Sequence, residues 1–130
     1  MKTLRLLLLA ALVAGCNDGG FAISAGGTFV VLTGGEQFRV RIESAFAATR
    51  ARRMMSGQEE QKVITGTVML GDGGFNTGYG WHLNPVTLQY TERTDETCNV
   101  LPSVVQANIA DWVGKKYCPW SGRFLSEVGR

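Results

Sequence analysis

Apolar and polar residues along this chain alternate in two rhythms, one of period two and one of period three to four, separated by glycine-rich breaks. In "EQFRVRIE", residues 36–43, Phe38, Val40 and Ile42 oppose Gln37, Arg39, Arg41 and Glu43, the pattern of a half-buried strand. The β-branched run "TFVVL" (28–32) precedes it, and "TGG" supplies a turn, so the two predict a hairpin. Ser44 is placed as the N-cap of a helix, "AFAATRARRMM", with Ala47, Ala51 and Met54 on one stripe and Gly57 beyond its end. "KVITGTVML" (62–70) predicts a third strand with Gly66 placed for a bulge. Residues 71–80 predict a loop, "WHL" a short strand before Pro85, and "VTLQYTE" (86–92) another strand with Val86, Leu88 and Tyr90 facing one way. A second helix is expected in "PSVVQANIADWVG". Ser103 and Gln106 are spaced as a capping box, Val105, Ile109, Trp112 and Val113 form the apolar stripe, and Gly114 is the stop. "GRFLSEV" ends the pattern as a last strand. The order ββαβββαβ predicts an α+β class: a single small domain, a mostly antiparallel sheet with two helices packed on it.

The amino terminus follows neither rhythm. Lys2 and Arg5 precede an apolar run over residues 6–15, too short for a bilayer-crossing helix of about 20 residues but of signal-peptide length. Residues 1–15 are therefore read as a signal peptide. "LVAGC" ends in Cys16 and resembles the lipobox of bacterial lipoproteins, with Val13 where leucine is commoner. The resemblance implies cleavage before Cys16 and lipidation of its thiol. Two or three acyl chains anchor a protein durably, at about 0.8 kcal/mol per buried methylene. Asn17 stands where an aspartate would mark inner-membrane retention, so the expected address is the bacterial envelope, at the outer membrane rather than the inner. Residues 16–27 then form the lipidated cysteine and a flexible, glycine-rich tether reaching roughly 20 Å, and residues 28–130 the secreted domain.

Removing the signal peptide changes the charge and cysteine counts. The 13 basic residues lose Lys2 and Arg5, leaving 11 against 11 acidic ones. No sustained positive surface remains for nucleic acid. The cluster "RARR" at 50–53 is followed by "GQEEQ" and reads as a solvated helix face. With Cys16 acylated, Cys98 and Cys118 are an even pair in an oxidising compartment. A disulfide between them closes a loop around the second helix and contributes about 3 kcal/mol.

Candidate chemistry centres on "GFNTGYGWHLNP" (74–85), which holds the single histidine. Catalysis would use His82 with Glu92, Asp95 or Glu96, but the chain has no nucleophile elbow and its cysteines pair with each other, so no catalytic residue is assigned. One histidine without Cys-x-x-Cys gives zinc no usual ligand set, and "GDGGFN" lacks an EF-hand's spacing; neither metal nor cofactor is expected. Sugar binding needs an exposed ring with nearby amides and carboxylates. Asn76, Tyr79, Trp81, His82, Glu96, Trp120 and Arg123 are the candidate ligand contacts. Trp81 and His82 also fit a structural rivet, and that reading leads.

"FRVRI", "GYGWHLNP", "ETC" with "PS" after it, and "YCPWSGRF" together resemble a small secreted domain family named after the amino-terminal domain of a slime-mould protein. In that family the equivalents of Trp81, His82, Pro85, Cys98, Pro102, Ser103, Cys118, Pro119 and Trp120 recur, and an arginine is usual at the position of Arg123. Asn99 departs from the pattern, in which an aspartate follows the first cysteine. The resemblance implies the fold, the disulfide and a loose association with carbohydrate. The expectation is a lipid-anchored envelope protein whose partners are the membrane and a glycan or envelope polymer. The alternatives are a weak glycoside hydrolase using Asp95 or Glu96 with His82, and a protein-interaction or inhibitor domain.

Overall fold

The computed structural model describes residues 26–92 and 96–129. The expected signal peptide, Cys16, almost all of the expected tether and Asp95 lie outside the described residues. Strands β1 (Gly27–Thr33) and β2 (Glu36–Ile42) form the expected hairpin, paired from Gly27 with Ile42 to Thr33 with Glu36. Its two-residue turn puts Gly34 and Gly35 at φ 55° and 80°, the left-handed pair that a right-twisted hairpin requires and side chains resist. Helix α1 (Ala45–Met55) follows, and the Ser44 hydroxyl accepts from the N–H of Ala47 as its cap. Its buried stripe is Ala48, Ala51 and Met54; Ala47, expected on it, is partly buried beside it.

The α+β class, the antiparallel pairing and the disulfide are as expected, but the strands divide between two sheets. The first has the order β2-β1-β7, with β7 spanning Arg123–Glu127. The second is built on β3 (Val63–Leu70), which pairs with β4 (Trp81–Leu83), β5 (Gln89–Thr91) and the two-residue β6 (Lys116–Tyr117). The N–H and C=O of Thr67 bond the 84–87 segment, and those of Val68 bond Lys115 and Gly114. So β4 and β5 share one edge of β3 and β6 takes the other.

Gly66 makes no bulge; it pairs with Tyr117 in register. A Cβ there would meet Leu88 Cδ2 at 2.9 Å and Leu83 Cβ at 3.2 Å, so the glycine lets the 83–88 segment close on the strand. The expected strand 86–92 is shortened for a related reason. Asn84 Oδ1 accepts from the N–H of Val86, and Pro85 opens a 3-10 turn, Pro85–Thr87. Val86 is consequently turned to solvent, while Leu88 and Tyr90 pack on the core.

The second predicted helix is two: α2 (Pro102–Ala107) and α3 (Ile109–Trp112). Asn108 breaks it, at φ −134° and ψ 38°. Its side-chain amide donates to the Val104 carbonyl at 2.8 Å, replacing the main-chain bond a continuous helix would make there. No capping box forms. Leu101 is the N-cap, the Ser103 N–H and hydroxyl both bond Glu36, and Gln106 Oε1 accepts from the N–H of Gly80.

The core lies between the inner faces of the sheets. Phe29, Val31, Phe38, Val40, Ile42 and Phe124 from the first face Ile64, Val68, Trp81, Leu83 and Tyr117 from the second, with α1 and Val105 closing the sides. Phe38, Trp81 and Tyr117 contact one another at centroid separations of 5.5–5.6 Å; such pairs add about 0.5–1.5 kcal/mol each beyond area burial. A second cluster, Val63 with Cys98, Cys118 and Trp120, covers the outer end of β3. Cys98 and Cys118 are bridged, with Cα atoms 5.1 Å apart, so the bond brackets α2 and α3.

Candidate functional site

The seven candidate ligand contacts do not form one site. Asn76 and Trp81 have no exposed surface. Asn76 Oδ1 accepts from the Arg39 N–H at 2.8 Å and its amide donates to the Trp81 carbonyl at 2.8 Å, so the side chain stitches the 71–80 loop to the edge of β2. Trp81 is the centre of the aromatic core, and its Nε1 is enclosed without an acceptor. Tyr79 is half-buried, its hydroxyl donating to the Gln37 carbonyl at 2.7 Å. Burial, with Glu36 nearby, raises its phenol above the usual 10.0. These three contacts are structural.

His82 is on the outer face of the second sheet, opposite Met69. Its Nδ1 lies 2.7 Å from the Gly71 carbonyl, and Phe75 meets its ring edge-on at 5.4 Å. The imidazole is thereby fixed against its own loop. Glu96 is exposed, and its carbonyl accepts from the N–H of Asn99 beside the disulfide. His82 belongs to the strand on one edge of β3, and Cys98 is hydrogen-bonded to the chain leaving β6 on the other. Glu96 is therefore not brought to His82. Neither is Glu92, since His82 pairs with Met69 while Thr91, next to Glu92, pairs with Val63 six residues away along β3. Asp95 lies outside the described residues. Among the described residues no three His, Cys, Asp or Glu side chains converge on a point that could hold a metal.

Trp120 and Arg123 do meet in one place. They line a groove of about 490 Å³ with Glu60, Gln61, Lys62, Thr91, Glu92 and Ser121, over a floor of Val63. Each wall has a local cause. Val63 and Thr91 are register partners in the β3–β5 ladder, so the residues flanking them, Lys62 and Glu92, form an ion pair at the rim. That pair raises the Lys62 ammonium above its usual range. The Trp120 N–H donates to Asn99 Oδ1 at 2.9 Å, and Gly122 turns back onto the Pro119 carbonyl. Ser121 is tied to Thr33 by a 2.8 Å hydroxyl–hydroxyl bond. The indole is half-buried against Val63 and the disulfide, with its Nε1 enclosed and unpaired. A ring held this way loses little freedom on meeting a ligand.

The same face of β3 carries a second recess. Thr65 with Gln89, and Thr67 with Lys116, are the next register partners facing the same way as Val63 with Thr91. They line this recess, of about 310 Å³, together with Gly66 and Thr87. From Val63 to Thr67 this is roughly 13 Å of strand. Thr65 is buried and the Thr87 hydroxyl is held by the Asn84 carbonyl, so Thr67, Gln89 and Lys116 are the side chains open to solvent there. A crevice of about 260 Å³ between the sheets is different: Ile42, Ala47, Ile64 and Leu88 make it apolar, and the Tyr90 hydroxyl is engaged by the Ala47 carbonyl.

Sequence reasoning found Trp120 and Arg123 but missed Glu60, Gln61, Lys62, Thr91 and Ser121. Only the antiparallel pairing of "KVIT" with "QYTE" gives a signal for them, because it sets Lys62 beside Glu92.

The family model for the BP-74 N-terminal domain matches residues 26–130, so the chain belongs to that family. No curated protein and no solved structure matches it.

Proposed function

We propose that this member of the family binds a hydroxyl-rich polymer, a glycan or another envelope polymer, along the outer face of its second sheet, and does so from a lipid anchor at Cys16. One observation carries the binding reading. The groove combines a half-buried indole, the Arg123 guanidinium, two carboxylates, an amide and hydroxyls, and a second, threonine-lined recess lies farther along β3. An indole face meets the apolar face of a sugar ring, while donors and acceptors around it satisfy the hydroxyls. The lipobox-like "LVAGC" carries the anchor, and with it a location in the bacterial envelope. No helix among the described residues is long and apolar enough to cross a membrane.

The test is a polysaccharide pull-down with wild type, Trp120→Ala and Arg123→Ala. Wild type is expected to be retained by at least one envelope polysaccharide, with each variant weakened about tenfold, equivalent to about 1.4 kcal/mol. Retention unchanged in both variants, or no retention of wild type by any polymer, rejects the groove.

Glu60 and Glu92 line the same groove, and this observation keeps glycoside hydrolysis as the second reading. Release of reducing ends that disappears in Glu92→Gln, with binding retained, would establish it over binding alone.

A further inference from the structure

The outer face of the first sheet carries a charge pattern that the groove does not explain. Register places Arg41 opposite Thr28 and Arg39 opposite Val30, so these two arginines share one face beside an aliphatic centre, with the groove residue Arg123 opposite Leu32 at its far edge. Among the described residues none of the three makes an ion pair. Arg50 and Arg52 of α1 are engaged instead, by Glu59 at 2.6 Å and Glu127 at 2.8 Å. The nearest carboxylate along the strand, Glu43, follows the last residue of β2 at the rim. Val30 is nearly covered, flanked by its arginine neighbour.

The position of this face gives it a partner. The chain enters the sheet at Gly27, beside Arg41, after a tether of about ten residues from Cys16. A tether of that composition reaches roughly 20 Å. An acylated Cys16 therefore holds the domain within one tether length of a bilayer. We infer that Arg39 and Arg41 dock this face on anionic lipid headgroups, orienting the domain on its own membrane. The inference rests on the proposed anchor.

The experiment uses the full chain and two kinds of vesicle, phosphatidylcholine alone and phosphatidylcholine with one third phosphatidylglycerol. Each basic residue near an anionic surface is worth about a fivefold change in partition. Arg39→Glu/Arg41→Glu should lower sedimentation with the anionic vesicles by more than about 25-fold. Arg53→Glu/Lys115→Glu, an equal charge change elsewhere, should leave the preference for anionic vesicles in place. If the first variant fails to fold by circular dichroism, Arg39→Gln/Arg41→Gln is measured instead and should show a smaller loss in the same direction. Equal loss in both double variants, or no preference of wild type for anionic vesicles, overturns the inference. The Cys16→Ser chain separates it from the anchor. A preference for anionic vesicles kept in Cys16→Ser supports the sheet face, even if mass spectrometry finds wild-type Cys16 unacylated and removes the anchor. An acylated wild type indifferent to lipid charge removes the sheet face alone.

Discussion

The main-chain N–H of Trp120 donates to Oδ1 of Asn99 across 2.9 Å, tying the loop after one half-cystine to the residue after the other. The side chain at position 99 is thus an acceptor that fixes the main chain at Trp120, and an aspartate there would accept the same bond. Asn99→Asp is expected to leave stability and the near-ultraviolet tryptophan signal unchanged. Asn99→Ala should cost about 1 kcal/mol in urea unfolding and broaden that signal.

Reduction tests the same region covalently. The bridge closes a loop with a sequence separation of 20 residues, and its loss should destabilise the domain by about 3 kcal/mol. Thermal unfolding with and without reductant measures this. Cys98→Ser/Cys118→Ser should unfold at the lower temperature whether or not reductant is present.

Asn76 predicts a large effect from a small side chain. Asn76→Ala leaves the Arg39 N–H and the Trp81 carbonyl without their partner. A loss of about 3 kcal/mol or more is expected in denaturant unfolding, since each orphaned group costs about 1–3 kcal/mol. Trp81→Ala should cost about 3–5 kcal/mol through the cavity it opens. Neither change is expected to weaken polymer retention at temperatures where the variant stays folded, because neither side chain reaches the groove.

The phenols predict the alkaline limit. Burial pushes the Tyr90 and Tyr117 hydroxyls well above their usual 10.0, despite the Arg50 guanidinium over the Tyr90 ring. The folded state therefore holds protons that the unfolded state releases near pH 10. This contribution to stability is complete below pH 10 and is lost as pH rises beyond it. Phenolate absorbance should lag behind that of the urea-unfolded chain until unfolding releases it; coincident titrations would show the phenols to be exposed.

Acid acts through Glu59. The Arg50 guanidinium holds its carboxylate below the usual 4.5, so the pair's contribution is present above that pH and fades as pH falls through the lowered value. The stability gap between wild type and Glu59→Gln should narrow in acid and with added salt.

Hairpin, first helix and disulfide were legible in the chain because local signals decide them: the period of two in "FRVRI", the Ser44 cap, the even cysteine pair. The misread segments were decided by side chains competing for main-chain groups. Asn108 takes the Val104 carbonyl and splits a helix whose apolar stripe looks continuous. Asn84 caps a turn inside an alternating run. Asn76 reads as a loop amide, yet it is wholly buried, because the edge of β2 and the start of β4 each leave a main-chain group to satisfy. The groove was half legible. Trp120 and Arg123 announce themselves by type, whereas Lys62 and Glu92 meet only through a ladder between segments nearly thirty residues apart.

Every rung of the second sheet has one foot on β3, and β4, β5 and β6 do not bond one another. Without that strand they are fragments of two or three residues, too short to persist in water. The outer face of the second sheet therefore depends on β3 throughout. It melts as a whole, and the amide protons of Ile64, Thr65, Gly66, Thr67 and Val68 should exchange with deuterium only when the entire domain opens.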